Sequence, residues 1–229
     1  MTPAELGAAL ACAAGRPLAP GDLVLSVRGA GRYATAVALK AGLDAEQIAR
    51  RLREIDGVLD VQGDGMLVIT VDPARVVTGA IGEGAAFGRA DVPRMGWDDR
   101  PRTWQNPGFV VRYAYARAVW TERWAAEAGV RAGEPRVEAE AEQCFAEHLA
   151  DLPGRAAQAE REQDPRPFAF CLERLAAAYH DVHERCPALP MGDSKPGAAH
   201  ASRVTLARAA RVALGNGLTM LGETPRERI

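Results

Sequence analysis

The spacing of hydrophobic positions changes character along the chain. Up to about residue 86 strand-like and helical runs are mixed. From residue 106 onward the apolar positions recur almost only at helical spacing. In the first stretch, Pro3 to Ala14 reads as a short helix. Leu23 to Val27 reads as a strand followed by the loop Arg28-Gly29-Ala30-Gly31-Arg32, and the Ala-rich run Tyr33 to Lys40 predicts a buried helix ending near Gly42. Asp44 has the chemistry of a helix cap, and Ile48, Leu52 and Ile55 then share one face until Gly57 stops it. Val58–Gln62 and Met66–Val71 flank Gly63-Asp64-Gly65, which predicts a hairpin. The pattern is α+β, a small α/β unit with a mainly antiparallel sheet.

Residues 79–105 change composition. Gly79, Gly82, Gly84 and Gly88 cluster, and Pro93 and Pro101 follow among mixed charges, so the stretch reads as a linker, although Trp97 and Trp104 call for parts of it to pack. Beyond it Asn106 and Pro107 open a helix, and Phe109, Tyr113, Ala116 and Trp120 form its stripe. Pro135 to Leu149 predicts a second helix, with Pro153-Gly154 as punctuation. Pro167 to Cys186 predicts a third, with Leu172, Leu175, Ala176, Tyr179 and Val182 on one face. After a loop at Met191–Ala199, Ser202 to Leu221 predicts a last helix, interrupted or frayed at Gly215-Asn216-Gly217. Short connections between amphipathic helices make this half an all-α bundle. The expected division is 1–86, a linker at 87–105, and 106–229.

At 229 residues and 48% hydrophobic, the chain can bury one large or two small cores. The formal net charge of −2 counts against nucleic-acid binding, which usually shows a basic surplus. The cysteines Cys12, Cys144, Cys171 and Cys186 are scattered without a C-x-x-C pair, which points to a reducing compartment. The N-terminus lacks a signal-peptide pattern and no apolar run approaches a membrane span. A cytoplasmic location without membrane contact is the expectation.

Three segments of the second half resemble arginyl-tRNA synthetase. Asn106 to Arg117 is similar to that family's N-P-x-x-Y-V-Q-Y-A-H-A-R, which opens a DALR-type anticodon-binding domain. Leu172 to Pro187 is similar to L-x-x-L-A-x-x-F-H-x-F-Y-x-x-C, and Leu214 to Ile229 to L-x-N-G-L-x-L-L-G followed by a terminal P-E-R-M. In the first half, Gly31 to Leu39 resembles G-D-Y-A-T-N-x-A-L and Gly63 to Ile69 resembles G-P-G-F-I-N-F. Both belong to the additional N-terminal domain that contacts the tRNA D-loop. Where a synthetase carries its catalytic domain, this chain has only the linker. It holds no H-x-G-H signature, and Gly192-Asp193-Ser194-Lys195-Pro196 is only superficially like K-M-S-K and lies inside the bundle. The resemblance therefore implies a non-enzyme that needs no cofactor.

The same resemblance places Tyr113 and Arg117 at an anticodon surface, where a ring stacks on an unpaired base and a guanidinium meets phosphate; Tyr113 reads equally as a packing residue of the stripe. Arg112 stands for the family's glutamine, adding a phosphate contact or removing an amide contact. His183 stands for a tyrosine and Ile229 for the terminal methionine. Arg208, Arg211 and Arg226, with Arg203 and Arg228, make the C-terminal segment locally basic. Arg32, beside Tyr33 and near Arg28, is a phosphate candidate in the first half. Met66 and Val68 replace an aromatic and an asparagine, so a base-edge contact is lost there. Metal binding by His180, His183 and Cys186 is disfavoured because i, i+3, i+6 spreads them around a helix, and nothing supports Asp193 with His200 as an acid–base pair. The expected function is a tRNA-binding protein, most simply for arginine tRNA, that holds or delivers the (arginyl-)tRNA to another enzyme such as an aminoacyl transferase. The rival is a protein–protein module that binds a synthetase or a biosynthetic enzyme.

Overall fold

The computed structural model describes residues 1–229 apart from Pro20 and Asp99. Helix α1 (Pro3–Ala14) starts at a reciprocal cap: Glu5 N donates to Thr2 Oγ1 and Thr2 N to Glu5 Oε2. Among the described residues four strands follow in the spatial order β1 (Ser26–Gly29), β2 (Arg32–Thr35), β4 (Leu67–Val71), β3 (Val58–Gln62), each neighbouring pair antiparallel. Helices α2 (Val37–Ala41) and α3 (Ala45–Arg53) lie between β2 and β3, and the Asp44 carboxylate caps α3 by accepting from Glu46 N and Gln47 N.

The predicted helix at Tyr33–Lys40 is corrected. Its first three residues are strand, and only Val37–Ala41 is helical. Pairing decides this: Tyr33 registers against Val27 on β1 and Ile69 on β4, so its ring joins the buried face with Val61. Cross-strand packing outweighs the helix preference of the alanines. Gly31, at φ +68, turns the chain between β1 and β2, with its carbonyl accepting from Val71 N.

Helix α4 (Ala74–Glu83) and a 3-10 turn (Gly84–Ala86) occupy residues that read as the start of a linker. The connecting segment 87–105 is laid down on the protein: Phe87 and Val92 are buried, and Met95 N donates to the Leu221 carbonyl. Four long helices complete the chain: α5 (Pro107–Glu127), α6 (Glu140–Glu162), α7 (Arg166–Arg185) and α8 (Ala198–Met220). In fold class the chain is α+β, a small antiparallel sheet with helices followed by an all-helical region.

Helices α6 and α8 differ from the sequence pattern. Helix α6 starts five residues after Pro135 because the preceding stretch is pinned to α8: Arg136 N donates to Ser202 Oγ, Gly133 N to Thr205 Oγ1, and both hydroxyls donate back to the carbonyls of the same residues. The buried Glu142 then caps α6 by accepting from Glu138 N and Ala139 N. Pro153 sits inside α6, where burial of Leu149, Leu152, Ala156 and Ala159 holds the helix together across the missing N–H. Helix α8 runs unbroken through Gly215-Asn216-Gly217. A Cβ on Gly217 would come within 2.5 Å of Leu172, and one on Gly215 within 3.1 Å of the Tyr115 ring, so the glycines let α8 approach α7 and α5 closely. Asn216 between them donates from Nδ2 to the carbonyls of Gly84 and Phe87. One buried apolar cluster runs from Tyr33 and Ile69 in the sheet through Phe87 to Phe145, Leu172 and Leu214 in the bundle.

Candidate functional site

The start of α5 organises an aromatic cluster. Asn106 caps the helix, its Oδ1 accepting from Gly108 N and Phe109 N. Its Nδ2 donates outward to the carbonyls of Asp98 and Pro101, which fixes the end of the connecting segment. That fixes Trp104 over the first turns of α5, 55% exposed. Its ring lies 5.8 Å from Tyr113 and edge-on to Phe109 and His180, at 6.2 and 5.0 Å. Phe109 and Tyr113 stack at 5.4 Å. The Arg117 guanidinium lies 4.5 Å from the Tyr113 centroid and 5.8 Å from that of Trp104, within range of a cation–π contact.

His180, reaching in from α7, sets the orientation of Arg117. Its Nε2 is 3.0 Å from the Val110 carbonyl and its Nδ1 is 3.1 Å from Arg117 Nη1. A carbonyl needs a donor and a guanidinium needs an acceptor, so the geometry selects the neutral imidazole with its proton on Nε2. Burial lowers the His180 pKa from 6.5 to about 4, in agreement. Arg117 also donates to Glu184 at 3.0 Å, and this hydrogen bond holds the Glu184 carboxyl below its ordinary range. The cluster thus presents an exposed indole, a half-buried phenol and a fixed guanidinium. Such a set stacks on a flat ring and pairs with an anion.

The other expected site residues are distributed differently. Arg112 is corrected: it is buried, its Nη2 lies 2.7 Å from Glu223 Oε2, and it donates to the carbonyls of Trp97 and Asp98. Glu223 also accepts from Trp97 N, so Arg112 locks the connecting segment onto the bundle and has no face for a phosphate. Tyr33 is also corrected: it is 1% exposed, and its hydroxyl is buried without a hydrogen-bond partner. Burial raises its pKa. Arg32 is exposed on the outer face of β2. His183 is half-buried, edge-on to Tyr179 at 6.5 Å, and burial lowers its pKa. Arg208 and Arg211 both face Glu122 rather than the cluster.

The C-terminal segment folds back on α5 seven residues beyond Tyr113, on the same stripe. Trp120 Nε1 donates to the Glu227 carbonyl, Arg123 pairs with the Glu227 carboxylate, and the guanidiniums of Arg123 and Arg228 lie 5.0 and 6.0 Å from the Trp120 ring. Arg226 is exposed and Ile229 half-buried. Sequence reasoning did not bring Trp104, Phe109, His180 and Glu184 together. Glu184 lies one turn beyond His180 on α7, which is a readable signal, but nothing in the periodicity places Trp104 on the stripe. Among the described residues no group of three or more His, Cys, Asp or Glu is placed to hold a metal ion. No described helix is long and apolar enough to cross a membrane.

The chain is therefore a helical bundle with an aromatic–arginine cluster on its first helix, joined through one core to a small antiparallel sheet. Residues 111–229, more than half of the chain, match the DALR anticodon binding domain, and the chain belongs to that family.

Proposed function

We propose that this chain is a non-catalytic tRNA-binding protein, derived from an arginyl-tRNA synthetase, that holds (arginyl-)tRNA or delivers it to another enzyme. In this reading residues 106–229 are the anticodon-binding end of a synthetase, 1–86 correspond to its additional N-terminal domain, and 87–105 stands where the catalytic domain would be. The observation that carries the reading is the cluster of Trp104, Tyr113 and Arg117 on the first helix of a bundle whose family is named for anticodon binding. An unpaired base stacks on the indole, the phenol lies behind it, and Arg117 takes the adjacent phosphate at the expense of its pair with the exposed Glu184. Arg226 and Ile229 extend the contact along α5.

A second reading, a protein–protein module, is favoured by one observation. Arg117, Arg123, Arg203 and Arg211 are each answered by a carboxylate of the chain itself, which leaves less positive field than a phosphate backbone usually meets. Retention of total tRNA on the purified protein at low and moderate salt, with sequencing of what is retained, separates the two. The tRNA reading expects arginine isoacceptors, lost as salt rises. It also expects Trp104→Ala to weaken binding by about 1–3 kcal/mol and Arg117→Ala by about 1–3 kcal/mol. No retention at low salt overturns it.

A further inference from the structure

The outer face of the N-terminal sheet carries a second surface of different chemistry. Val24, Leu39 and Met66 are 50%, 66% and 51% exposed, although each is a large apolar side chain. They adjoin one another: Val24 and Met66 line a cavity of about 190 Å³ floored by Ala34 and Ala36, and Leu39 lies over Gly65, the residue before Met66. Contiguous exposed apolar groups of this kind mark interaction surfaces, and methionine is adaptable in such places.

The rim is basic. Arg28 and Lys40 line the same cavity, and Arg32, exposed on β2, pairs with Gly29, the residue after Arg28. Among the described residues neither Arg28 nor Arg32 has a carboxylate partner, Lys40 donates only to the Gly21 carbonyl, and Asp22 is the one carboxylate in the cavity wall. The cavity wall has no aromatic ring for a base to stack on, because Tyr33 is buried in the opposite face of the sheet. Aliphatic side chains inside a cationic rim instead fit apolar side chains flanked by carboxylates.

We propose that this face docks an acidic amphipathic segment of a partner protein, with an aliphatic side chain in the cavity between Val24 and Met66 and carboxylates on Arg28, Arg32 and Lys40. The surface stands on its own observations, whether or not the bundle binds RNA.

The test is methyl NMR on the full chain. It uses a helical peptide with leucines at i, i+3, i+4 spacing and glutamates between, its counterpart with lysines in place of glutamates, and a short single-stranded RNA. The glutamate peptide is expected to give saturable shifts confined to the methyls of Val24, Leu39 and Met66. Met66→Gln with Leu39→Gln should weaken it at least tenfold. Arg28→Ala with Arg32→Ala should weaken it several-fold and flatten its salt dependence. The methyls of Val61 and Ile69, buried in the same sheet, report that each variant is folded; should a double variant disturb them, Met66→Gln alone replaces it. Equal binding of the lysine peptide, preference of these methyls for the RNA, or shifts with protein concentration alone, which would mean a second copy of the chain, each overturns the proposal.

Discussion

On the bundle, Arg117, Arg123, Arg203 and Arg211 meet Glu184, Glu227, Glu142 and Glu122. On the N-terminal sheet, Arg28 and Arg32 meet no carboxylate among the described residues. The aromatic groups are distributed the other way. The bundle and the segment latched to it present Trp124 and Trp104 at 44% and 55% exposure, while the sheet presents aliphatic groups and turns its tyrosine inward. Net charge is therefore a poor locator of function here. The Arg123–Glu227 pair is open to solvent on both sides, and such a pair is worth at most about 1 kcal/mol, so a ligand can displace it when stacking adds more. A bare arginine beside a leucine selects a ligand by charge and apolarity together.

The largest expected effect comes from an arginine that belongs to neither surface. Arg112→Met leaves Glu223 without its partner in a largely buried site and should destabilise the fold by about 3 kcal/mol, read as a lowered urea midpoint. Arg117→Met should cost less than Arg112→Met, because the carboxylate it leaves behind, Glu184, is 56% exposed and regains water. Equal losses would erase the distinction between a structural and a ligand-facing arginine on one helix.

Acid should act on the bundle before the sheet. All four histidines lie beyond residue 106. The folded His180 pKa of about 4 lies below its ordinary 6.5, so the unfolded chain binds the proton more readily. The stability from keeping the ring neutral is complete above pH 6.5 and is lost as pH falls toward 4, with a ceiling of about 3 kcal/mol. His148 and His183 shift in the same direction and add to the slope. Stability measured by urea unfolding from pH 7 to 4 should fall, and His180→Gln should flatten the fall. An unchanged slope would remove His180 as its source.

A smaller effect concerns the joint between the regions. Asn216→Ala removes two side-chain bonds to the carbonyls of Gly84 and Phe87 and should cost about 1–2 kcal/mol. Amide exchange should quicken first in α4 and the turn after it; uniform quickening would mean that the two regions unfold as one. The smallest expectation is for Tyr33→Phe. Its hydroxyl is buried without a partner, so removal should change stability by less than about 0.5 kcal/mol or raise it slightly. A clear loss in thermal unfolding would show that the hydroxyl is satisfied.

Elements whose signals are local were legible in the sequence. The caps at Asp44 and Asn106 and the hairpin around Gly63-Asp64-Gly65 are written in adjacent residues. That Tyr113 and Arg117 meet follows from their i, i+4 spacing. What failed depends on partners far along the chain. The start of α6 is set by hydroxyls on α8, β2 by its pairing with β4, and the continuity of α8 by side chains on α5 and α7. Arg112 reads as a surface cation until Glu223 is placed beside it. Trp104 joins the cluster only because Asn106 uses its second polar group to hold the backbone before it.

The latching of the connecting segment has a mechanical consequence. Asn216 holds its beginning, Leu221 and Glu223 its middle, and Asn106 its end. A segment held at so many points acts as a splint, not a tether. The sheet face and the aromatic cluster then stand at one distance and angle, like the jaws of a gauge. Two ligands that grip both faces at once meet at a fixed spacing and at a local concentration far above that of free solution.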